Sequence, residues 1–389
     1  MSAARVARTR APRLDVDALL ADRHTRIIVC CGAGGVGKTT TAAALGLRAA
    51  EQGRHVVVLT IDPARRLAQS LGLTELDNTP RPVDGFDKSE GGSLDAMMLD
   101  MKRTFDDVVL AHSTPEKAEQ ILANPFYQAV SSSFAGTQEY MAMEKLGQLH
   151  HDARNGAGPT WDLIVVDTPP SRSALDFLDA PQRLGSFLDG RFIRLLTAPA
   201  RAGSRAYLKV FSAGVNLVTT TLSRVLGGEL LRDVQTFVSA LDTMFGGFRE
   251  RADHTYALLK QDSTAFVVVA APERDALREA SFFVDRLEQD GMPLSGLVIN
   301  RVQQVSARGL SAAQARAAAE QRAEEGDALT SGLLQLHAYL AETADRQRNL
   351  AGRFTAGHPG TAVVEVPALA EDVHDIEGLR EVGASLAAR

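Results

Sequence analysis

The sequence predicts an α/β fold: a doubly wound, mostly parallel sheet flanked by helices, with a helical subdomain formed by insertions. First, residues 32–40 read Gly-Ala-Gly-Gly-Val-Gly-Lys-Thr-Thr, a glycine-rich loop between a strand-like apolar run and a stretch of helix formers. Second, short β-branched runs recur, several of them apolar on both faces, as in buried parallel strands. Third, helical stretches separate these runs, as βαβ units require.

The loop at residues 32–40 fits G-x-x-x-x-G-K-[ST], a pattern that cradles phosphate groups. Its glycines let backbone N–H groups turn inward and form an anion-binding nest. Lys38 would place a charge at the β- and γ-phosphates, and Thr39 would offer its hydroxyl to Mg²⁺. The dipole of the following helix, over residues 40–50, would face the phosphates. The loop in this context predicts a P-loop NTPase.

The strand-like runs are unevenly spaced along the chain. They are Ile27–Cys31, His55–Ile61, Leu94–Leu99, Leu163–Val166, Phe266–Ala270, Leu297–Ile299 and Ala362–Val366. Two intervals hold far more chain than one crossover helix needs, and a third is rich in Ala, Glu and Arg. We therefore expect helical insertions at about 102–158, 181–262 and 303–352, the last as exposed helix or partly ordered loop. Residues 25–389 are expected to form a single ATPase domain.

The N-terminal residues 1–24 are expected to form a flexible basic tail, because four arginines and no acidic residue occur in the first 13 positions. They contain no apolar stretch typical of a secretory signal, and no run of 18 apolar residues occurs in the chain. The net charge of −6 gives no sign of a nucleic-acid partner. These features favour a cytoplasmic protein, with peripheral membrane association through a partner as the alternative.

The sequence has two cysteines, Cys30 and Cys31, which are neighbours in the strand before the phosphate loop. Because neighbouring strand residues point to opposite faces, we expect no disulfide between them. A reducing compartment is the simplest interpretation. No Cys or His pair has the spacing of metal ligands.

Two of the predicted strands lead into aspartates, and ligands of doubly wound sheets bind at the carboxyl ends of strands. Asp62 is placed to hold the attacking water near a γ-phosphate, although it could also cap a helix that begins with Pro63. Asp167 matches the Walker B arrangement, which orients the Mg²⁺ shell through water; a capping or turn role is the alternative. The segment from Thr168 to Arg172 would sense the γ-phosphate.

Asn300 ends another predicted strand, and its amide can both donate to and accept from a purine edge. A purely structural asparagine is an equal alternative at this point.

The insertions carry apolar stripes with helical spacing. Their simplest interpretation is that the stripes pack against each other and against the sheet. Alternatively, Phe187 to Leu196 and the helices within residues 211–245 line a groove for an apolar helix of a client protein.

With these motifs in order, the chain resembles the arsenite-pump ATPase (ArsA) family, which includes targeting ATPases for tail-anchored membrane proteins. The segments that carry the resemblance are Gly32–Thr40, Thr60–Ala64, Asp167–Ser171, Asn300 and Val366–Leu369. The resemblance implies ATP with Mg²⁺ as the ligand, with Thr39 and Asp167 serving the metal and Asp62 positioning the water. It implies that Asn300, together with the backbone near Pro367 and Leu369, holds adenine. The phosphates would be bound by Gly34, Gly35, Val36, Gly37, Lys38, Thr39 and Thr40.

Two departures from the family pattern affect the expected partners. The cysteines that bind arsenite or a dimer zinc in the family are absent, so we expect neither site. Ala33 stands where the family places a signature lysine that reaches the partner's nucleotide across a face-to-face dimer. We therefore expect a heterodimer with a paralogous subunit that keeps the lysine. A homodimer in which Arg65 or Arg66 substitutes, and a monomer, are the alternatives.

The sequence thus favours an ATP-hydrolysing switch protein that couples nucleotide state to movement of a helical subdomain, in transport or protein targeting. A regulatory subunit that binds ATP or ADP but has little activity alone is the second hypothesis, and Ala33 motivates it. A small-molecule ligase on the same fold is the third. The long apolar insertions fit a macromolecular partner better than a small substrate.

Overall fold

The computed structural model describes residues 11–388, except 63, 126, 129–130, 132–136, 156–160, 170–249 and 308. These residues fall into two compact units. The core unit comprises residues 11–98, 161–169 and 259–388, and the insert unit comprises residues 99–155 and 250–258.

The core unit is built on a sheet of eight strands in the order β3-β4-β2-β5-β1-β6-β7-β8. All neighbouring strands are parallel except β3 and β4. The strands are β1 Ile27–Gly32, β2 His55–Thr60, β3 Arg81–Pro82, β4 Ser93–Met98, β5 Leu163–Asp167, β6 Thr264–Ala270, β7 Leu294–Val302 and β8 Val363–Pro367. The mostly parallel sheet predicted from the apolar runs is therefore confirmed. The short antiparallel β3 was not predicted.

Helices of the core unit flank this sheet. They are α1 Val16–Ala21, α2 Lys38–Glu51, α3 Arg66–Ser70, α7 Arg274–Asp290, α8 Ala312–Glu324, α9 Ala328–Gly357 and α10 Ile376–Ala387. The insert unit, taken by itself, contains α4 Met101–His112, α5 Pro115–Leu122 and α6 Thr137–Asn155. Every position of β1, β5 and β6 is buried, because helices cover both faces of a parallel sheet. The alanine-rich α2 packs into this core beside the phosphate loop.

The N-terminal segment differs from the flexible tail expected over residues 1–24. Residues 1–10 lie outside the described part, but Leu14, Val16 and Leu20 are buried in the core. The backbone N–H of Leu14 donates to the Val363 carbonyl, and Asp15 caps α1. The apolar residues of α1 recur at helical spacing and anchor the segment, whereas the basic residues that suggested a tail all precede them.

The interval expected as an insertion at 303–352 contains two helices, α8 and α9. They pack against each other, and the hydroxyl of Ser331 in α9 donates to the Ala319 carbonyl of α8 at 2.8 Å. The buried alanines of the two helices are Ala315, Ala319, Ala338, Ala341, Ala344 and Ala351. The low-complexity stretch 311–326 is a regular helix because Ser311 and Gln314 form a capping box at its start. The opposite face of α9 leaves Leu329, Leu333, Leu336 and Tyr339 exposed.

Arg54 is the largest fully buried side chain of the described residues and lies between α2 and β2. Its Nε donates to the Asp162 carboxylate at 2.7 Å. Its two terminal nitrogens donate to the carbonyls of Leu20, Asp22, Thr25 and Asp162 at 2.7 to 3.2 Å. The guanidinium therefore has an acceptor for each of its five N–H groups, and it holds the α1–β1 connection against the start of β5.

Replacing Arg54 with methionine is expected to lower the free energy of unfolding by about 3–5 kcal/mol, because Asp162 and several carbonyls lose a buried donor. The matched control is Arg23→Met. Arg23 also pairs with Asp162, but its side chain is 56% exposed, so its loss should cost under about 1 kcal/mol. Chemical denaturation measures both values. Equal effects of the two substitutions would contradict this role for Arg54.

Candidate functional site

The phosphate loop connects β1 to α2 at the carboxyl edge of the sheet. Gly35 and Gly37 have φ values of 73° and 94°, in the left-handed region that favours glycine. A Cβ atom at Gly37 would lie 2.2 Å from Nδ2 of Asn300, so only glycine fits there. Gly37 is the N-cap of α2 and has no side chain to bond the first N–H groups of that helix. These N–H groups can therefore donate to a bound anion. The loop is thus shaped to receive phosphate groups.

Lys38 lies inside this loop with 5% of its surface exposed. Its Nζ donates to the Ala33 carbonyl at 2.7 Å. Burial lowers the pKa of Lys38, while the charges of Asp167 and Asp62 oppose that shift. In the structure, the loop therefore holds its cation against its own backbone.

Asp167, the last residue of β5, is completely buried. Its Oδ2 accepts hydrogen bonds from the hydroxyls of Thr39 and Thr60, each at 2.8 Å. Burial raises the pKa of Asp167 to about 6, against the lowering effect of these two hydroxyls and of Lys38. The structure thus brings together the two residues that the sequence predicts as the metal site.

The other oxygen of Asp167, Oδ1, is buried and has no hydrogen-bond partner among the described residues. Leaving such an oxygen unsatisfied is costly. Carboxylate and hydroxyl oxygens are the ligands that Mg²⁺ prefers, directly or through its water shell. The residues present therefore fit a magnesium ion beside Thr39 and Asp167.

Asp62 follows β2 at the same edge of the sheet and is half-buried. Its Oδ1 accepts the N–H of Ala64 at 3.0 Å, so it closes a short turn. The next helix, α3, begins at Arg66 with Arg65 as its N-cap, so the alternative that Asp62 caps a helix starting at position 63 is wrong. Arg65 and Arg66, candidates to replace the missing loop lysine, are both exposed.

Thr60, which the sequence did not indicate as a site residue, links the Asp167 carboxylate to the backbone of Asp62. Its hydroxyl bonds to Asp167 and also accepts the N–H of Asp62 at 3.2 Å. Thr60 and Asp167 are direct partners in the β2–β5 ladder. This pairing follows from the strand order, in which β2 and β5 are neighbours, and the sequence alone does not state that order.

Asn300 and Arg301 contact the phosphate loop from β7. Asn300 is 8% exposed, and its Nδ2 donates to the Val36 carbonyl at 2.9 Å while its Oδ1 accepts the N–H of Arg301. Nη2 of Arg301 donates to the Gly35 carbonyl at 2.8 Å. Arg301 is the one non-glycine residue with positive φ in the described part of the chain, at 61°. The pair therefore braces the loop, a role that the sequence did not indicate for Arg301.

The other expected adenine contacts lie at the same edge. Val302 of β7 pairs with Pro367 of β8, and the N–H of Ala368 donates to the Val302 carbonyl. Pro367 and Leu369 are both half-buried. This register brings Pro367 and Leu369 near the strand end that carries Asn300.

The described part of the predicted γ-phosphate sensor begins at Thr168, whose hydroxyl donates to the Cys30 carbonyl at 2.8 Å. Residues 170–172 lie outside the described part.

Cys30 and Cys31 are free and buried, and burial raises the pKa of both thiols, that of Cys31 to about 12. Ala33 is buried with 7% of its surface exposed.

In the insert unit, the apolar side chains predicted for the first insertion are mostly packed inside. Those buried are Phe105, Val108, Val109, Ile121, Tyr127, Met141 and Met143. The candidate groove segments Phe187–Leu196 and 211–245 lie outside the described residues. Within the described residues no helix is long and apolar enough to cross a membrane.

Comparison with known proteins agrees with this geometry. The sequence model of a family described as anion-transporting ATPase (ArsA) matches residues 25–325. The ATPase get3 of Neurospora crassa is 24% identical over 288 residues, which is 74% of this chain and 76% of that protein. The ATPase GET3 of Malassezia globosa is 25% identical over 295 residues, or 73% and 75%. The ATPase GET3 of Ajellomyces dermatitidis is 25% identical over 289 residues, which is 73% of this chain and 75% of that protein.

Proposed function

The chain belongs to the anion-transporting ATPase (ArsA) family, and on that premise we propose that it is an ATP-hydrolysing switch protein whose nucleotide state moves its helical insertions. The observation that carries the proposal is the buried contact between Thr39 of the phosphate loop and Asp167 at the end of β5. This contact assembles a P-loop and a Walker B carboxylate at one edge of the sheet.

In this proposal each predicted residue has a physical role. The loop residues Gly34 to Thr40 donate backbone N–H groups to the phosphates, and Lys38 releases the Ala33 carbonyl to neutralise charge that develops during transfer. Thr39 and Asp167 would hold Mg²⁺, the latter through water; the ion supplies charge stabilisation on the phosphates when bound. Asp62 orients the attacking water, and Asn300, Pro367 and Leu369 flank adenine. The chemistry then depends on positioning and charge, with no covalent intermediate.

The proposed assembly is a heterodimer with a paralogous subunit that carries a lysine where this chain has Ala33. A symmetric homodimer would leave both sites without that cation, although Lys38, Thr39, Asp62 and Asp167 are all in place. Cations supplied from a partner can contribute several kcal/mol in phosphoryl-transfer sites. The exposed Arg65 and Arg66 support the homodimer as the competing arrangement. The regulatory-subunit alternative shares the same prediction of low activity alone.

For the client, we propose an apolar helix of a membrane protein, bound by the insertions in the cytoplasm. The support is the resemblance to targeting ATPases and the similarity to proteins named GET3 ATPase. The ATPase domain would run from Leu14 onward, with the insertions within it forming the client-binding part. The sequence lacks the cysteines that bind arsenite or zinc in the family, so we propose neither an arsenite site nor a zinc site.

The decisive experiment expresses the chain alone and together with candidate paralogs, then measures mass and ATP turnover. We expect a mixed dimer with turnover at least about tenfold above that of the chain alone. Changing the paralog's loop lysine to alanine should remove that gain.

A pure homodimer with full activity, and no gain on adding the paralog, would overturn the heterodimer. Absence of ATP hydrolysis from every combination would overturn the switch-ATPase function itself. An inactive chain that still binds nucleotide tightly and changes the paralog's turnover would favour the regulatory subunit.

A further inference from the structure

We propose that Thr60 is a positioning residue for ATP hydrolysis, whose hydroxyl couples Asp167 to the segment that carries Asp62. The inference rests on the proposed ATPase function and adds a residue to its site. Thr60 is the last residue of β2 and is 1% exposed.

The geometry at Thr60 allows one hydroxyl to serve both aspartates. Oγ1 donates its proton to Oδ2 of Asp167 at 2.8 Å and accepts the N–H of Asp62 at 3.2 Å. A hydroxyl has one proton and two lone pairs, so the two bonds are compatible. The backbone reinforces the connection, because the N–H of Ile61 donates to the Asp167 carbonyl at 2.9 Å.

This contact links the two halves of the proposed chemistry. Asp167 shares its Oδ2 between Thr39 of the phosphate loop and Thr60, whose hydroxyl also accepts the N–H of Asp62. A displacement of the Asp62 segment therefore changes a hydrogen bond to Asp167. Partners that orient a metal-side carboxylate from behind typically affect metal affinity or activity by about 10- to 100-fold.

A merely structural hydroxyl would behave differently. Its loss would lower stability and reduce every function in parallel, whereas a positioning role should reduce kcat and the response to magnesium while sparing Mg-free nucleotide binding. Thr60→Val keeps the β-branched shape and removes the hydroxyl, and Thr60→Ser restores the hydroxyl. Thr25→Val is the matched control: Thr25 is also buried, but it precedes β1 at the opposite edge of the sheet.

The experiment measures kcat and KM for ATP, the Mg²⁺ concentration for half-maximal turnover, and binding of a fluorescent ADP with and without Mg²⁺, on the active full-length assembly. For Thr60→Val we expect kcat to fall at least about tenfold and the Mg²⁺ requirement to rise severalfold. KM and Mg-free ADP affinity should stay within about twofold. Thr60→Ser should recover most of kcat, and Thr25→Val should match the parent.

Three results would overturn the inference while leaving the ATPase function standing: parental kcat and Mg²⁺ dependence in Thr60→Val, a parallel loss of Mg-free ADP binding, or no recovery in Thr60→Ser. If the parent itself hydrolyses no ATP, the proposed function fails. The Mg²⁺ dependence of ADP binding in Thr60→Val then decides the inference on its own, since an unchanged dependence contradicts it.

Discussion

Replacing Lys38 with alanine is expected to abolish tight nucleotide binding and turnover. In the proposed site, the substitution removes the cation that would meet the β- and γ-phosphates, at a residue that is only 5% exposed and where water screens little. Each tenfold loss corresponds to about 1.4 kcal/mol, so a loss of several kcal/mol lowers activity by several orders of magnitude. Titration with a fluorescent ATP analogue and a phosphate-release assay measure both quantities.

The same substitution should leave nucleotide-free stability unchanged or slightly increased. Burial lowers the pKa of Lys38, which means that the folded protein carries this charge at a cost. If Lys38→Ala melts at the parental temperature, its loss of nucleotide binding is not caused by unfolding. Lys88→Ala, which removes an exposed lysine paired with Asp84, is the control and should bind nucleotide normally. Unchanged ATP affinity and rate in Lys38→Ala would refute the phosphate-loop assignment.

Replacing Asp62 with asparagine is expected to keep nucleotide affinity within severalfold but to slow hydrolysis by about 100-fold or more. The amide oxygen can still accept the Ala64 N–H that closes the turn, so the backbone should keep its shape. The amide cannot hold the water with a negative charge or accept its proton. Single-turnover hydrolysis separates the chemical step from binding.

Asp87→Asn is the matched control for Asp62, because Asp87 closes a similar turn with the N–H of Ser89 at an exposed position. It should leave turnover at the parental level. Hydrolysis at the parental rate in Asp62→Asn would reduce Asp62 to a turn residue, although the phosphate loop would still stand.

The sheet was predictable because its central strands β1, β5 and β6 are buried on both faces. Runs such as Thr264–Ala270 are apolar at nearly every position, a pattern that an exposed strand would not tolerate. The strand Arg81–Pro82 was missed because two residues carry no periodicity. The anchoring of the N-terminal segment was missed because the charges of residues 5–13 outweighed the few apolar positions of α1.

The part of the candidate site that lies at the carboxyl ends of the strands could be predicted from the sequence. Asp62 and Asp167 could be predicted as site residues because each stands at the end of an apolar run, and the structure places both at the same edge of the sheet. Thr60 was missed because its importance comes from cross-strand register, which a single strand's sequence does not state. Arg301 was missed for a similar reason: its contact with Gly35 depends on a positive φ that its residue type does not favour.

The burial of both native thiols allows introduced cysteines to be labelled selectively with fluorophores. Cysteine-directed dyes require an accessible thiolate, and the chain's only two cysteines are at most 1% exposed with raised pKa values. A cysteine introduced at an exposed position, such as Leu110→Cys on α4 or Leu329→Cys on α9, would become the sole reactive thiol of an otherwise native chain. Introducing both cysteines would allow a fluorophore pair to be attached and the proposed movement of the insertions to be measured, without altering the strand that feeds the phosphate loop.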